Sequence, residues 1–123
     1  MMILLTMIFL HIINDYNLQG WLASAKQKQW WIDNAPQEKY EHDYICALLM
    51  HSFSWTFMVM LPLSLIEWHN ITSDFLLIFV FNFFIHAIVD YLKANVKAIN
   101  LIQDQTIHIV QILITYWILY LGI

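Results

Sequence analysis

The stretch Phe75-Leu-Leu-Ile-Phe-Val-Phe-Asn-Phe-Phe-Ile-His86-Ala-Ile-Val-Asp90-Tyr-Leu92 decides the fold. It is apolar almost throughout, then ends with a His and an Asp four residues apart. A helix rises about 1.5 Å per residue, so ~20 apolar residues cross a ~30 Å hydrocarbon core. Three further stretches have the same character: Met1 to about Tyr16, Tyr44 to Ile66, and about Leu101 to Ile123. Strand-like alternation is absent, and four strands could not close a barrel. The expectation is an all-α, four-helix transmembrane bundle. It forms a single integral membrane domain over residues 1–123, with helices at about 1–16, 44–66, 75–92 and 101–123.

Composition agrees with that expectation. The chain has 123 residues, of which 61% are hydrophobic and 11% charged. A soluble domain carries roughly 25% charged residues. One core of this size could not hide so much apolar surface, whereas a bilayer accepts it. The N-terminal run has no preceding Lys or Arg and no small-residue cleavage pattern, so it reads as a retained helix. There is no Arg, and the net charge of −4 argues against nucleic acid as a partner. The partner expected is the lipid bilayer, with homo-oligomerisation a further expectation because four short helices bury little on their own. Cys46 has no second cysteine to pair with and reads as an inert buried thiol.

Residues 17–43 form a long polar connection. It lies along the interface or extends the first helix; Leu18, Trp21, Leu22 and Ala25 share a helical face. Lys26, Lys28 and Lys39 lie in it, and Lys93 and Lys97 lie in the third connection. Alternating helices put both connections on one side. The positive-inside rule makes that side cytoplasmic. Both termini then point outward from an inner-membrane protein. Trp30, Trp31 and Tyr44 fit one aromatic belt and Trp68 the other.

The same alternation gathers the ionisable residues of the helices. His11 and Asp15 end the first helix, and His86 and Asp90 end the third. His51 lies early in the second, and Asp104 and His108 begin the fourth. All seven fall at one depth, in the cytoplasmic half. His11/Asp15, His86/Asp90 and Asp104/His108 are i,i+4 pairs, each presented on one helix face. A lone pair of this kind is explained by an ordinary His–Asp hydrogen bond. Three pairs on three helices, joined by His51, point to a shared site. An Asp at the bilayer centre costs roughly 2.5–3.5 kcal/mol, so intramembrane ionisable residues usually mark function. Neutral imidazole and carboxylate bind divalent metal, with Zn first and Mn or Fe as alternatives. Seven donors suffice for one or two ions, or for one ion with supporting groups.

Weaker candidates surround this set. Lys93, Gln19 and Gln105 are placed to touch substrate or ligands. His42, Glu41 and Asp43 read as solvated loop groups, and His69 lies on the other side. Asn70-x-Thr72 matches a glycosylation sequon that reads as chance in so short a loop. Ser52 and Ser54 flank His51 without a nucleophile elbow around them.

The ordered motifs resemble a known family. His11-Ile-Ile-Asn-Asp15-Tyr-Asn-Leu-Gln19 is similar to its opening, and Leu48-Leu-Met-His51 to its second-helix His. His86-Ala-Ile-Val-Asp90-Tyr-Leu-Lys93 and Asp104-Gln105-Thr-Ile-His108 are similar to its third and fourth segments. The family is the small bacterial and phage membrane group called domain of unknown function 3307. The resemblance spans nearly the whole chain and implies a complete prokaryotic or phage domain, but no activity. Asn14 departs from it where a small residue is expected.

The leading functional expectation is a metal-dependent hydrolase acting on a lipid-like or membrane-proximal substrate. His51, His86, Asp90 and His108 are the core ligands expected, with His11, Asp15 and Asp104 in a second site or supporting shell. Asp15 or Asp104 would act as general base. The first alternative is a proton or divalent-metal transporter using the same residues, although the outer half offers only Ser64 and Tyr116 for a polar path. The second is a phage accessory such as a holin or exclusion factor.

Overall fold

The computed structural model describes residues 1–66 and 72–122. Six α-helices follow one another, and no strand occurs among the described residues: α1 (Met2–Ile13), α2 (Leu22–Ala25), α3 (Lys28–Asn34), α4 (Asp43–Ile66), α5 (Ser73–Tyr91) and α6 (Leu101–Leu121). Asn70 of the sequon, with His69 and Trp68, lies outside the described residues.

Local signals explain the boundaries. The Thr72 hydroxyl accepts from the Phe75 amide and starts α5. Asn100 and Gln103 form a reciprocal capping box that starts α6, which sets the register of Asp104 and His108. α1 and α5 each end in a wider π-helical turn, Asn14–Leu18 and Leu92–Val96. Such turns are rare and recur at functional sites. Here the first contains Asp15 and the second begins two residues after Asp90. Gly20 then turns the chain at φ 48°, in the left-handed region that glycine tolerates. Beyond Leu18 the first connection is therefore not one continuous helix. It folds as α2, α3 and the short 3-10 turn Glu38–Tyr40.

The four longer helices pack in a ring, α1 on α4, α4 on α5, α5 on α6 and α6 on α1. Met7, Trp55, Val59, Met60, Leu63, Phe75 and Ile112 make the apolar core. The first and third connections meet at one end. There the Asn95 side chain donates to the Lys26 carbonyl at 2.9 Å and accepts from the Lys28 amide at 2.7 Å. Trp21, Trp30 and Trp31 cluster edge to face close by.

Among the described residues, two helical runs are long and apolar enough to cross a membrane: Glu38–Ile66, whose most apolar 18-residue stretch has a mean hydropathy of 1.6, and Ser73–Val96, whose corresponding stretch has 2.1. Met2–Leu18 is apolar but shorter, and α6 carries Gln103, Asp104, Gln105, His108 and Gln111. Length and composition thus single out two of the four expected spans. Burial is inverted relative to a soluble domain. The buried set holds at least as many polar as apolar residues, while Phe9, Phe53, Phe57, Phe81, Phe84 and Trp117 are more than half exposed. Cys46 belongs to this apolar exterior: it is exposed, not buried, because it projects from the outward face of α4.

Candidate metal centre

The packing of α1, α4, α5 and α6 brings all seven His and Asp residues into one buried layer. His11, His51, His86, Asp104 and His108 are at most 1% exposed, Asp90 is 3% exposed and Asp15 8%. Each arrives by a simple route. His11/Asp15 and His86/Asp90 lie one turn apart at the ends of α1 and α5, and Asp104/His108 one turn apart at the start of α6. His51 faces them from α4.

The spacing within the layer separates two kinds of contact. His51 Nε2 stands 3.5 Å from Asp15 Oδ1 and 3.4 Å from Asp90 Oδ2. His86 Nε2 is 3.8 Å from Asp90 Oδ2, and His108 Nε2 is 3.4 Å from both Asp90 Oδ1 and Asp104 Oδ1. A good N–H···O hydrogen bond measures about 2.9–3.0 Å. Donors around a tetrahedral ion with bonds of about 2.0–2.1 Å stand roughly 3.3 Å apart. The observed distances match the second figure better than the first. Two overlapping triads result, Asp15/His51/His86 and His86/Asp90/His108, each with its donor atoms within 4.8 Å of one another.

The unpaired polar atoms of the layer point the same way. Both ring nitrogens of His51 and of His86, together with His108 Nδ1, Asp15 Oδ1 and Asp104 Oδ1, are buried without a hydrogen-bond partner among the described residues. Leaving a buried polar atom unpaired costs about 1–3 kcal/mol. So many in one layer is a poor arrangement for a hydrogen-bonded network and a suitable one for a cation.

His11 differs from the other three histidines. The Trp55 indole N–H, which can only donate, points at His11 Nδ1 over 2.7 Å. Nε2–H is then left to donate to Gln105 Oε1 at 3.0 Å. With both nitrogens engaged, His11 braces its neighbours. Gln105 completes the brace: its amide nitrogen donates to Asp15 Oδ2 at 3.1 Å and to Asp104 Oδ2 at 2.9 Å. Trp55 also stacks on His86, with centroids 4.1 Å apart, and His86 stacks on His108 at 4.2 Å. These stacks hold the imidazoles in place.

Lysines close the layer toward the connections. Lys26 Nζ donates to Asp90 Oδ2 at 2.6 Å and Lys93 Nζ to Asp104 Oδ2 at 2.7 Å. Gln19 caps the π turn of α1 by donating its side-chain amide to the Asp15 carbonyl. His42 is exposed.

Comparison with protein-family models, curated proteins and solved structures finds no match for this chain. What the site does rests on its own geometry.

Several participants escaped the sequence. Lys26 lies in a loop with no motif around it. Trp55 follows His51 by four residues, a spacing that places it on the same helix face and could have flagged it. Asn14 is buried and donates to Ser54 Oγ at 2.8 Å, tying α1 to α4. Buried polar groups also continue one to two turns beyond the His/Asp layer, toward the middle of the bundle. Asn82, Gln111, Thr115 and Thr56 are buried there.

Proposed function

We propose that this protein is a membrane-embedded, metal-dependent hydrolase acting on a lipid-like or membrane-proximal ester, phosphoester or amide. The observation that carries the proposal is the pair of buried donor triads meeting at His86, with nitrogens unpaired at metal-ligand spacing. Asp15, His51, His86, Asp90 and His108 are the ligands in this account, one or two ions being held. Zn is the first choice for such nitrogen and oxygen donors, ahead of Mn or Fe.

A bound divalent ion lowers the pKa of water toward ~7 and polarises the group under attack. Asp104 is the general base: its Oδ1 is unpaired, while Lys93 and Gln105 hold its Oδ2. It takes one proton as the water oxygen bonds to the carbonyl carbon or phosphorus. The ester oxygen or amide nitrogen would leave as its bond breaks, taking up the proton that Asp104 had accepted. His11, Trp55 and Gln105 keep the ligands oriented. The four longer helices would form the transmembrane bundle. The apolar exterior and the two long apolar runs support it. The lysine-bearing end would face the cytoplasm, with both termini outside. The resemblance to domain of unknown function 3307 is kept as a proposal of kinship.

The test is turnover by purified, metal-loaded protein in nanodiscs, offered lipid ester, phosphoester and amide probes. Metal-dependent hydrolysis of one class, lost in Asp104→Asn, is the expected result. Metal-loaded protein that turns over none of the three would overturn the hydrolase.

A second reading, divalent-metal or proton transport, draws on one further observation. Asn82, Gln111, Thr115 and Thr56 continue the polar interior one to two turns beyond the His/Asp layer, to the middle of the bundle. Metal flux into proteoliposomes would favour it.

A further inference from the structure

Above the His/Asp layer, where the first and third connections meet, lies a cavity of about 480 Å³ lined by Gln19, Lys26, Asp90, Lys93 and Lys97 among others. Its volume falls within the roughly 300–1,000 Å³ of small-molecule sites. Asp90 is common to this cavity and to the second donor triad, so the cavity reaches the candidate ligands.

We propose that this cavity binds a phosphate group, carried by an anionic lipid headgroup or a soluble phosphate ester, and presents it to the donor layer below. The proposal rests on the hydrolase reading and narrows its substrate class to phosphoesters.

Three observations carry it. The first is charge. Lys26 and Lys93 each have an Asp partner, and Lys97 has none among the described residues. Lys26, Lys93 and Lys97 balance Asp15, Asp90 and Asp104, so any divalent ion added to the layer leaves the region cationic. An anion restores the balance.

The second is donor capacity. An ammonium has three N–H groups. Lys26 spends one on Asp90 and Lys93 one on Asp104, so each keeps N–H groups for further acceptors. Lysine is a regular phosphate binder, acting as a point charge.

The third is construction. The Asn95 side chain clips the backbone at Lys26 and Lys28, holding the first connection against the third. Lys26 is only 12% exposed at its side chain and Lys93 33%. Lys97 sits in the left-handed region at φ 57°, between the π turn and α6. The lysines therefore come from two segments that are stapled together.

The test uses inorganic phosphate as probe, titrated calorimetrically into the full protein in phosphatidylcholine nanodiscs. Metal content is measured on the same samples. Saturable phosphate binding is expected, weakened at least about tenfold by Lys93→Gln/Lys97→Gln with metal content unchanged. Lys97→Gln alone keeps both Asp ion pairs, and a smaller weakening in it guards against a folding artefact. No saturable binding, or binding unchanged in the double variant, would overturn the proposal. Nanodiscs doped with phosphatidic acid separate the two sources. Loss of free-phosphate binding there assigns the site to a lipid headgroup, and undiminished binding assigns it to a soluble ester. Phosphate bound without any metal would sink the hydrolase reading and leave the phosphate site standing. Metal bound without phosphate would do the reverse.

Discussion

Two buried polar layers lie inside this bundle, and they are built on different rules. In the layer around Asn82, the side-chain amide donates to Thr115 Oγ1 at 2.7 Å. Gln111 donates to the Asn82 carbonyl at 2.8 Å, and Thr115 to the Gln111 carbonyl at 2.9 Å. Every one of these contacts has hydrogen-bond length. In the His/Asp layer, the imidazoles of His51, His86 and His108 stand 3.4–3.8 Å from carboxylates and leave ring nitrogens unpaired. Two of these contacts tie α5 to α6, of the kind that hold helices together where water is scarce, and the third lies within α6. The His/Asp layer groups donors that could hold a metal ion. Gln111 Oε1 and Thr56 Oγ1 are also unpaired in the layer around Asn82, so neither buried polarity nor pairing alone separates the two; the spacing of several donors around one point does.

The contrast can be broken experimentally. His86 belongs to both triads, so His86→Ala should reduce hydrolytic turnover to background. Retained turnover in that variant would remove the distinction between the layers. Asp104→Asn should keep the metal and lower turnover by ~10²-fold or more, the usual scale for a general base. Equal loss of metal would instead make Asp104 a ligand. Gln105→Ala removes the brace on His11, Asp15 and Asp104. It should weaken metal affinity by about 10–100-fold, as loss of groups orienting ligands does; competition against a chelator reads this directly. Asn82→Ala should have the smallest effect. Unfolding in mixed micelles should show about 1 kcal/mol of lost stability, with metal affinity untouched.

The helical class and the composition of the site could be read from the chain because both depend on local spacing. Four apolar runs place helices close to where they occur. The i,i+4 pairs put His and Asp on single faces, and alternation of direction brings those faces to one depth. The roles within the layer depend on tertiary approach and were not legible. Nothing in the chain marks His11 as already satisfied, because its partners Trp55 and Gln105 come from α4 and α6. Lys26 reaches Asp90 only because Gly20 and the short helices fold the first connection back over the bundle. Cys46 departs from the expected burial for a related reason. In an inverted bundle an apolar neighbourhood on α4 faces outward, so the rule that apolar surroundings mean burial fails there.

Elemental analysis of purified protein tests the central claim most directly, with wild type, His86→Ala and Asn82→Ala compared after reconstitution with Zn, Mn or Fe. The account predicts about one or two equivalents of a divalent metal in wild type and Asn82→Ala, and loss of it in His86→Ala. Well-folded wild-type protein that takes up none of the three metals would contradict it.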